Sequence, residues 1–516
     1  MTPQAPPQDG PGQGRNLYVV IGAVLIAMLL ASLDNLILGT AMPGIVSDLG
    51  GLGHLSWVVT AYTLATAVST PVWGKLGDMY GRKGAFLTAI VIFLTGSVLA
   101  GMSQDMTQLI GFRAIQGLGA GGLMVGALAI ISSLVPPRDQ GRYQGMISGV
   151  MGLAMIAGPL VGGAITDHLG WRWCFYVNLP LGLLALFMIS TVLHLPKQRS
   201  QARIDYLGVA LLATTISSVV LVTTWGGAEY AWTSGVIIGL GALAVAAGAG
   251  FVAAERRAAE PVLPLKLFRN ANFTVVTVIG FLLGFAMFGA MTYLPLFQQA
   301  VQGSSATNAG LLGMPLFLAM VAVNMVAGPV ISRTGRYKAF IVVGGALLTT
   351  GLALLATMDT STSRLTTGAF MALVGAGIGC LMQTTLLVSL HSVERADLGV
   401  GSSTATLART IGGSVGVSIV GALFAGRVRD IMAERGYAAA TEGSAQLDAA
   451  GLRTLPAGVR DAYRHAVAGG VHQGFLVATG VGVLAFALAW LVRQVPLDKE
   501  AARDGESADA AEHART

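Results

Sequence analysis

The sequence predicts an all-α membrane protein that crosses the bilayer many times, and three observations carry that prediction. Of 516 residues, 54% are hydrophobic and only 11% are charged, against about 25% charged in an ordinary soluble domain; the mean hydropathy is +0.69. The apolar residues gather in blocks of about 20 between short polar breaks, the length a helix needs to cross a hydrocarbon core of about 30 Å. Basic residues crowd into every second break, as the positive-inside rule requires of a chain that weaves through a membrane.

The elements follow in order. Residues 1–16, rich in Pro, Gln and Gly, have the composition of a disordered tail. The first apolar block, 17–40, lacks a small-residue cleavage site and is followed by further spans, so it is expected to stay as a helix rather than leave as a secretory signal. Spans at 55–74, 84–102, 106–133, 143–166 and 173–194 come next, then 205–225 and 232–254. Six more fall at 271–295, 306–331, 338–357, 365–390, 399–425 and 468–492, for fourteen in all. Residues 494–516, rich in Ala, Asp and Glu, form a second tail.

Charge sets the orientation. The even-numbered breaks hold Lys75, Arg82 and Lys83; Arg138 and Arg142; Lys197, Arg199 and Arg203; Arg256, Arg257, Lys266 and Arg269; Arg333, Arg336 and Lys338; and Arg395. The short odd-numbered breaks hold only Arg172 and Arg364. Both termini are therefore expected in the cytoplasm, with the chain in the cytoplasmic membrane. The long break 426–467 carries six arginines from Arg427 to Arg464 on the outer side, which long loops can do without reversing the topology. It reads equally as a mobile connector or as a short amphipathic hairpin or helix.

Several function classes are disfavoured. Cys174 and Cys380 sit inside apolar blocks far apart in the chain, which does not describe a disulfide framework. The net charge of +6 is spread over loops instead of forming an aromatic-interleaved basic patch, so no nucleic-acid partner is expected. There is no G-x-x-x-x-G-K-[ST] phosphate loop and no metal-ligand cluster, so neither an enzyme nor an ATP-driven pump is expected, and no cofactor.

The first basic break reads Gly74-Lys75-Leu76-Gly77-Asp78-Met79-Tyr80-Gly81-Arg82-Lys83. It resembles the loop signature between helices 2 and 3 of the major facilitator superfamily, with a weaker echo at 328–338. Arg113-Ala114-Ile115-Gln116-Gly117-Leu118-Gly119 resembles the R-x-x-Q-G-x-G motif of drug:proton exporters. Gly145, Gly158-Pro159 and Gly162-Gly163 resemble the antiporter motif of span 5, with Ala154 where Gly is usual. Trp171-Arg172-Trp173, Phe175, Asn178, Pro180 and Gly182 are similar to the start of span 6 in the fourteen-helix drug:proton antiporter family. Leu33-Asp34 and Ala41-Met42-Pro43 resemble that family's span 1, with Leu36 and Gly39 departing from it, and Arg409 with Gly412-Gly413 fits span 13.

The resemblance implies a major facilitator fold: a six-helix half over 17–194, two additional helices within 195–260 and a second six-helix half over 261–493. It implies proton-coupled export of amphipathic small molecules, antibiotics among them, by alternating access in a lipid bilayer. The chain would act as a monomer driven by the proton gradient. A lipid or secondary-metabolite exporter would share every motif. A transport-inactive sensor or scaffold should have lost Asp34, Arg113 or the Asp78 loop, and all are present.

The residues themselves locate the chemistry. Among 25 acids, Asp34 is the one that falls deep in a predicted span, where a charge is costly and so a functional candidate. Burial favours its neutral form and a nearby cation its charged form, and alternation between the two is what proton coupling requires. Arg113, with Gln116, is the expected partner; the same pair could also be a static tie between spans 1 and 4. Gly74, Asp78, Gly81, Arg82 and Lys83 are the expected cytoplasmic gate, with glycines for close approach and tight turning and Asp78 facing a guanidinium or a helix N-terminus.

Gly158 and Gly162 share a helix face and admit a close neighbour, while Pro159 can bend the span. The substrate pocket is expected near the midplane, from Phe285, Met287, Phe288, Met291, Tyr293, Asn324, Met382 and Gln383, with Asn35 and Gln116 from the first half. Arg409, about 10 residues into its span, reads either as a partner of helix-end carbonyls or as a cavity-facing cation.

Overall fold

The computed structural model describes residues 11–49, 55–135, 137–193, 205–227, 230–258, 261, 263–304, 306–394, 397–437 and 456–494. Away from water, backbone groups must bond within their own segment, and the apolar blocks are accordingly helical. The first group is α1 (Pro11–Leu49), α2 (Leu55–Tyr80), α3 (Arg82–Gly101), α4 (Met106–Leu134), α5 (Pro137–Leu169), the one-turn α6 (Trp173–Tyr176) and α7 (Asn178–Val192). A pair, α8 (Tyr206–Trp225) and α9 (Gly235–Glu255), follows. After a 3-10 turn, Leu265–Arg269, come α10 (Ala271–Ala300), α11 (Ala306–Leu312), α12 (Met314–Thr334), α13 (Tyr337–Ala356), α14 (Arg364–His391), α15 (Leu398–Glu434) and α16 (Ala457–Ala489).

Among the described residues, twelve helices are long and apolar enough to cross a membrane, and they fall on twelve of the fourteen expected spans. The helices at predicted spans 2 and 5, α2 and α5, run 26 and 33 residues but are not among the twelve. The hydroxyls of α2 bond back to their own helix: Thr63 to Val59 O, Thr66 to Tyr62 O and Thr70 to Thr66 O.

Other boundaries also move. α1 begins at Pro11, inside the segment expected to be a tail, while residues 1–10 and 495–516 lie outside the described residues. The break expected over 426–467 is largely helical at both ends, because α15 continues to Glu434 and α16 starts at Ala457. One ion pair ties those extensions together, Arg435 to Asp461 at 3.6 Å, and another lies within α15, Arg427 to Glu434 at 3.9 Å.

Within the first group α4 lies between α2 and α3, and α1 lies against α5 and α7. In the second, α14 lies between α12 and α13, and α10 packs along α15 and α16. The motif glycines of α4 permit the tight packing there: a Cβ on Gly117 would fall 3.0 Å from that of Ala65, and one on Gly119 would fall 2.7 Å from Ala89 O. The groups meet along two seams, α5 against α12 and α2 against α15, and α8 leans on both α2 and α15.

The weak repeat in the sequence has a structural counterpart. Lys83, second residue of α3, donates to Ser190 O at the end of α7 (2.8 Å), and Lys338, second residue of α13, donates to Trp490 O just past α16 (2.9 Å). Each lysine follows a glycine in the left-handed region, Gly81 at φ 102° and Gly335 at φ 67°. Cationic side chains suit these helix C-termini, where carbonyls lack partners.

Candidate functional site

The first half encloses a charged cluster. Asp34 sits midway along α1, 2% exposed, and Arg113 on α4 is fully buried. The guanidinium Nη1 donates to Asp34 Oδ2 at 2.5 Å and to Gln116 Oε1 at 2.7 Å. Gln116 Nε2 in turn donates to Asp34 Oδ1 (2.7 Å), and so does Asn178 Nδ2 (2.7 Å). Residues 113 and 116 share a face of α4 because they are three apart. Asn178 reaches the carboxylate because the chain breaks at Val177, between α6 and α7, ahead of Pro180. Asn178 also donates to Ser97 Oγ (2.9 Å), which donates to Phe175 O (2.8 Å).

Three donors converge on one carboxylate, and hydrogen bonds of this kind are strongest to its charged form. The cation is held by more than charge: Arg113 lies 4.1 Å above the Tyr62 ring and 5.9 Å from that of Phe175, and Tyr62 is itself fixed by donating to Ala31 O (3.2 Å). Arg113 Nη2 is buried with no hydrogen-bond partner among the described residues, an unused donor that a buried group seldom tolerates. Gln116, expected in the substrate pocket, belongs to this cluster. Asn178 enters the sequence reading only as part of the span 6 resemblance, without a link to Asp34, and Tyr62 does not enter it at all. The Asn178 signal was an amide beside a helix-breaking proline; Tyr62 gave none.

A second constellation joins the halves. Gly399 N–H and Val400 N–H donate to Asp78 Oδ1 (3.2 Å) and Oδ2 (3.1 Å), and Arg82 Nη2 donates to Asp78 Oδ1 (3.1 Å). These amides are the second and third of α15, the ones an N-cap side chain ordinarily satisfies. The N-cap residue, Asp397, makes no such bond and pairs with Lys266 at 2.9 Å. Asp78 therefore caps α15 from the opposite half. Gly74 makes the approach possible: a Cβ there would lie 2.7 Å from Gly399 O and 2.9 Å from Ser403 Oγ.

The span 5 motif divides. Gly158 packs on α1, where a Cβ would fall 2.6 Å from that of Leu36, so its close neighbour lies in its own half. Gly163 faces open space, and Gly162 O accepts from Thr166 Oγ1 (2.7 Å). A glycine of α5 that does meet the other half is Gly152, against Val321 of α12. The surroundings of Gly145 and the side chains of Pro159 and Asn35 lie outside what the structure describes.

The second-half pocket residues are mostly packed. Met287 belongs to the core, and Tyr293 donates to Val417 O (3.2 Å) and stacks on Phe424, centroids 5.3 Å apart. Gln383 is 2% exposed. Asn324 is fully buried, and neither its Nδ2 nor its Oδ1 has a partner among the described residues. Arg409 is half-buried beside α10, where its carbonyl abuts Gly284. Glu255, not recognised as a buried acid in the sequence, ends α9 at 4% exposure and accepts from Leu263 N–H (3.4 Å).

Residues 24–417 match the family model of the Major Facilitator Superfamily. The chain belongs to that superfamily. It is 39% identical over 483 residues to an uncharacterized MFS-type transporter of Mycobacterium tuberculosis, covering 93% of this chain and 70% of the relative. It is 37% identical over 424 residues to the multidrug transporter protein MdtP of Bacillus subtilis, covering 82% and 78%. The fold matches that of the proton:xylose symporter XylE, with a TM-score of 0.61 at 14% identity over 95% of this chain and 99% of XylE. The chain is thus a multi-pass membrane transporter whose substrates are small molecules.

Proposed function

We propose that this transporter is a proton-coupled antiporter that exports amphipathic small molecules, of the fourteen-helix drug:proton branch, in the cytoplasmic membrane with both termini inside. The observation that carries the proposal is the Asp34 cluster: a carboxylate at membrane depth, tied to one cation and two amides, with a spare donor on that cation. A proton arriving at Asp34 would neutralise it and release Arg113; loss of the proton would restore the pair. The two arrangements would differ in how α1 and α4 are held, which is the bistable element alternating access requires. The Asp78 cap on α15 would hold the cytoplasmic end closed during one of them. The multidrug name of MdtP supports the substrate class.

Reconstituted vesicles containing a pH dye test the coupling. Export of a cationic dye or an amphipathic antibiotic is expected to move protons in the opposite direction, at a rate that falls to the background of empty vesicles when the pH gradient is collapsed. Substrate flux with no proton movement would make the protein a uniporter and end the antiport reading.

A further inference from the structure

Basic residues on the Arg364 side of the membrane run against the positive-inside pattern, and the structure accounts for several of them by ion pairs. Arg172 pairs with Asp48 (3.3 Å), Arg427 with Glu434 and Arg435 with Asp461. Arg364, Arg460 and Arg464 do something else. They converge on a pocket of about 400 Å³ formed by the end of α10, the turn before α14 and the first turns of α16. Among the described residues its lining includes Gln299, Gln302, Thr360 and Ser363 but no carboxylate. Among the described residues, the acids that flank the lining in sequence are engaged elsewhere: Asp359 accepts from Ser361 and Thr362 in its own turn, and Asp461 faces Arg435 and His465.

The arginines are aimed but not consumed. Arg464 Nη2 donates to Val301 O (2.8 Å) and Arg364 Nη2 to Gln302 O (3.0 Å), which fixes each guanidinium by one nitrogen of three. Gln302 completes the site. Its Nε2 donates to Thr362 O (3.2 Å) and Thr367 Oγ1 (2.9 Å), so the amide is oriented, and its buried Oε1 has no partner among the described residues. Three guanidiniums without a counter-ion among the described residues call for an oxyanion they can grip in a planar, paired fashion. A fixed orphan acceptor calls for a hydroxyl or N–H on the same ligand. The volume suits a small molecule or a head group.

We propose that this pocket binds a phosphate ester bearing a hydroxyl group, of the glycerol-phosphate type, separately from the Asp34 site. Under the proposed orientation it lies on the outer face of the second half, where the source is either an anionic lipid head group or a soluble phosphate ester. Binding itself does not depend on proton coupling, so this proposal can fail while antiport stands, and the reverse.

The experiment titrates the full-length purified protein with inorganic phosphate, glycerol 3-phosphate and dihexanoyl phosphatidylglycerol, read by native mass spectrometry and by thermal shift. Glycerol 3-phosphate is expected to bind at least tenfold more tightly than inorganic phosphate, and Gln302→Met is expected to abolish that preference. Arg460→Gln and Arg464→Gln are each expected to weaken glycerol 3-phosphate by about tenfold, the cost of one charge-assisted pair. Arg460 makes no side-chain bond to the fold among the described residues, so Arg460→Gln should melt with the parent and remain interpretable if Arg464→Gln misfolds. Tighter binding of the short-chain lipid than of glycerol 3-phosphate, with the same arginine dependence, would assign the site to a membrane head group. Equal binding would assign it to the soluble ester. No binding of any of the three, or binding indifferent to both arginine changes, overturns the proposal.

Discussion

At the scale of residues, the Asp34 cluster raises the question of what its charge costs. Removing one member of a buried pair leaves the other uncompensated, at about 3–5 kcal/mol, whereas removing both is far milder. Asp34→Asn should therefore abolish coupled export and also lower the melting temperature, because Arg113 keeps its charge in a fully buried position. Arg113→Gln in the same chain should recover most of that stability and none of the flux. Thermal unfolding followed by size-exclusion chromatography measures the first effect, and the vesicle pH assay the second; a single variant as stable as the parent would mean Arg113 does not need the carboxylate. The sequence shows Asp34 and Arg113 as candidates because lone charges in apolar blocks are conspicuous. It does not show Asn178 or Tyr62 as their partners, since an amide at a helix start and one aromatic among many carry no mark of what they touch. Those contacts arise from the kink at Val177 and from the placement of α2 beside α4.

At the scale of elements, the helices follow from composition, but their neighbours do not. Glycine spacing on α5 says that something packs closely, and the structure says that Gly158 meets Leu36 of α1 while Gly152 meets Val321 of α12. These two positions should behave differently. Gly158→Leu overpacks the α1–α5 contact at about 1–3 kcal/mol, displacing the helix that bears Asp34. Gly152→Leu strains the seam between halves instead. Gly158→Leu is expected to reduce the number of protons moved per substrate, whereas Gly152→Leu should slow turnover with that ratio preserved. Paired measurement of dye and proton flux in vesicles separates them, and an unchanged ratio in both would remove Gly158 from the coupling path. The same gap between pattern and partner holds for α2 and α5, two of the expected spans: α2 carries Tyr62 and Asp78, and α5 backs α1.

At the scale of the whole molecule, the two halves are joined where a helix in one lacks its own cap and a carboxylate in the other supplies it. The ten-residue motif identified Asp78 and Arg82; the recipient, Gly399 and Val400 in a stretch some 320 residues later, could not be read from the chain because nothing local distinguishes α15's start from any other Gly-rich helix entrance. Breaking the cap leaves two amides without their carboxylate and removes the Arg82–Asp78 bond, and hydrogen bonds to a charged group are each worth about 1.5–3 kcal/mol. Even the lower figure moves a two-state equilibrium by about tenfold. Asp78→Ala is therefore expected to open the Asp78 end. In a background with Cys174 and Cys380 replaced by Ser, Ser403→Cys places a thiol behind Gly74, where the closed seam now buries it completely. A water-soluble maleimide supplied from that side should label this thiol about tenfold faster when Asp78→Ala is added. Asp78→Asn, which keeps one acceptor oxygen but no charge, should fall between the two. Identical labelling rates in all three would show that the seam is held by the packing of α2 against α15 alone, with Asp78 contributing nothing to which end is open.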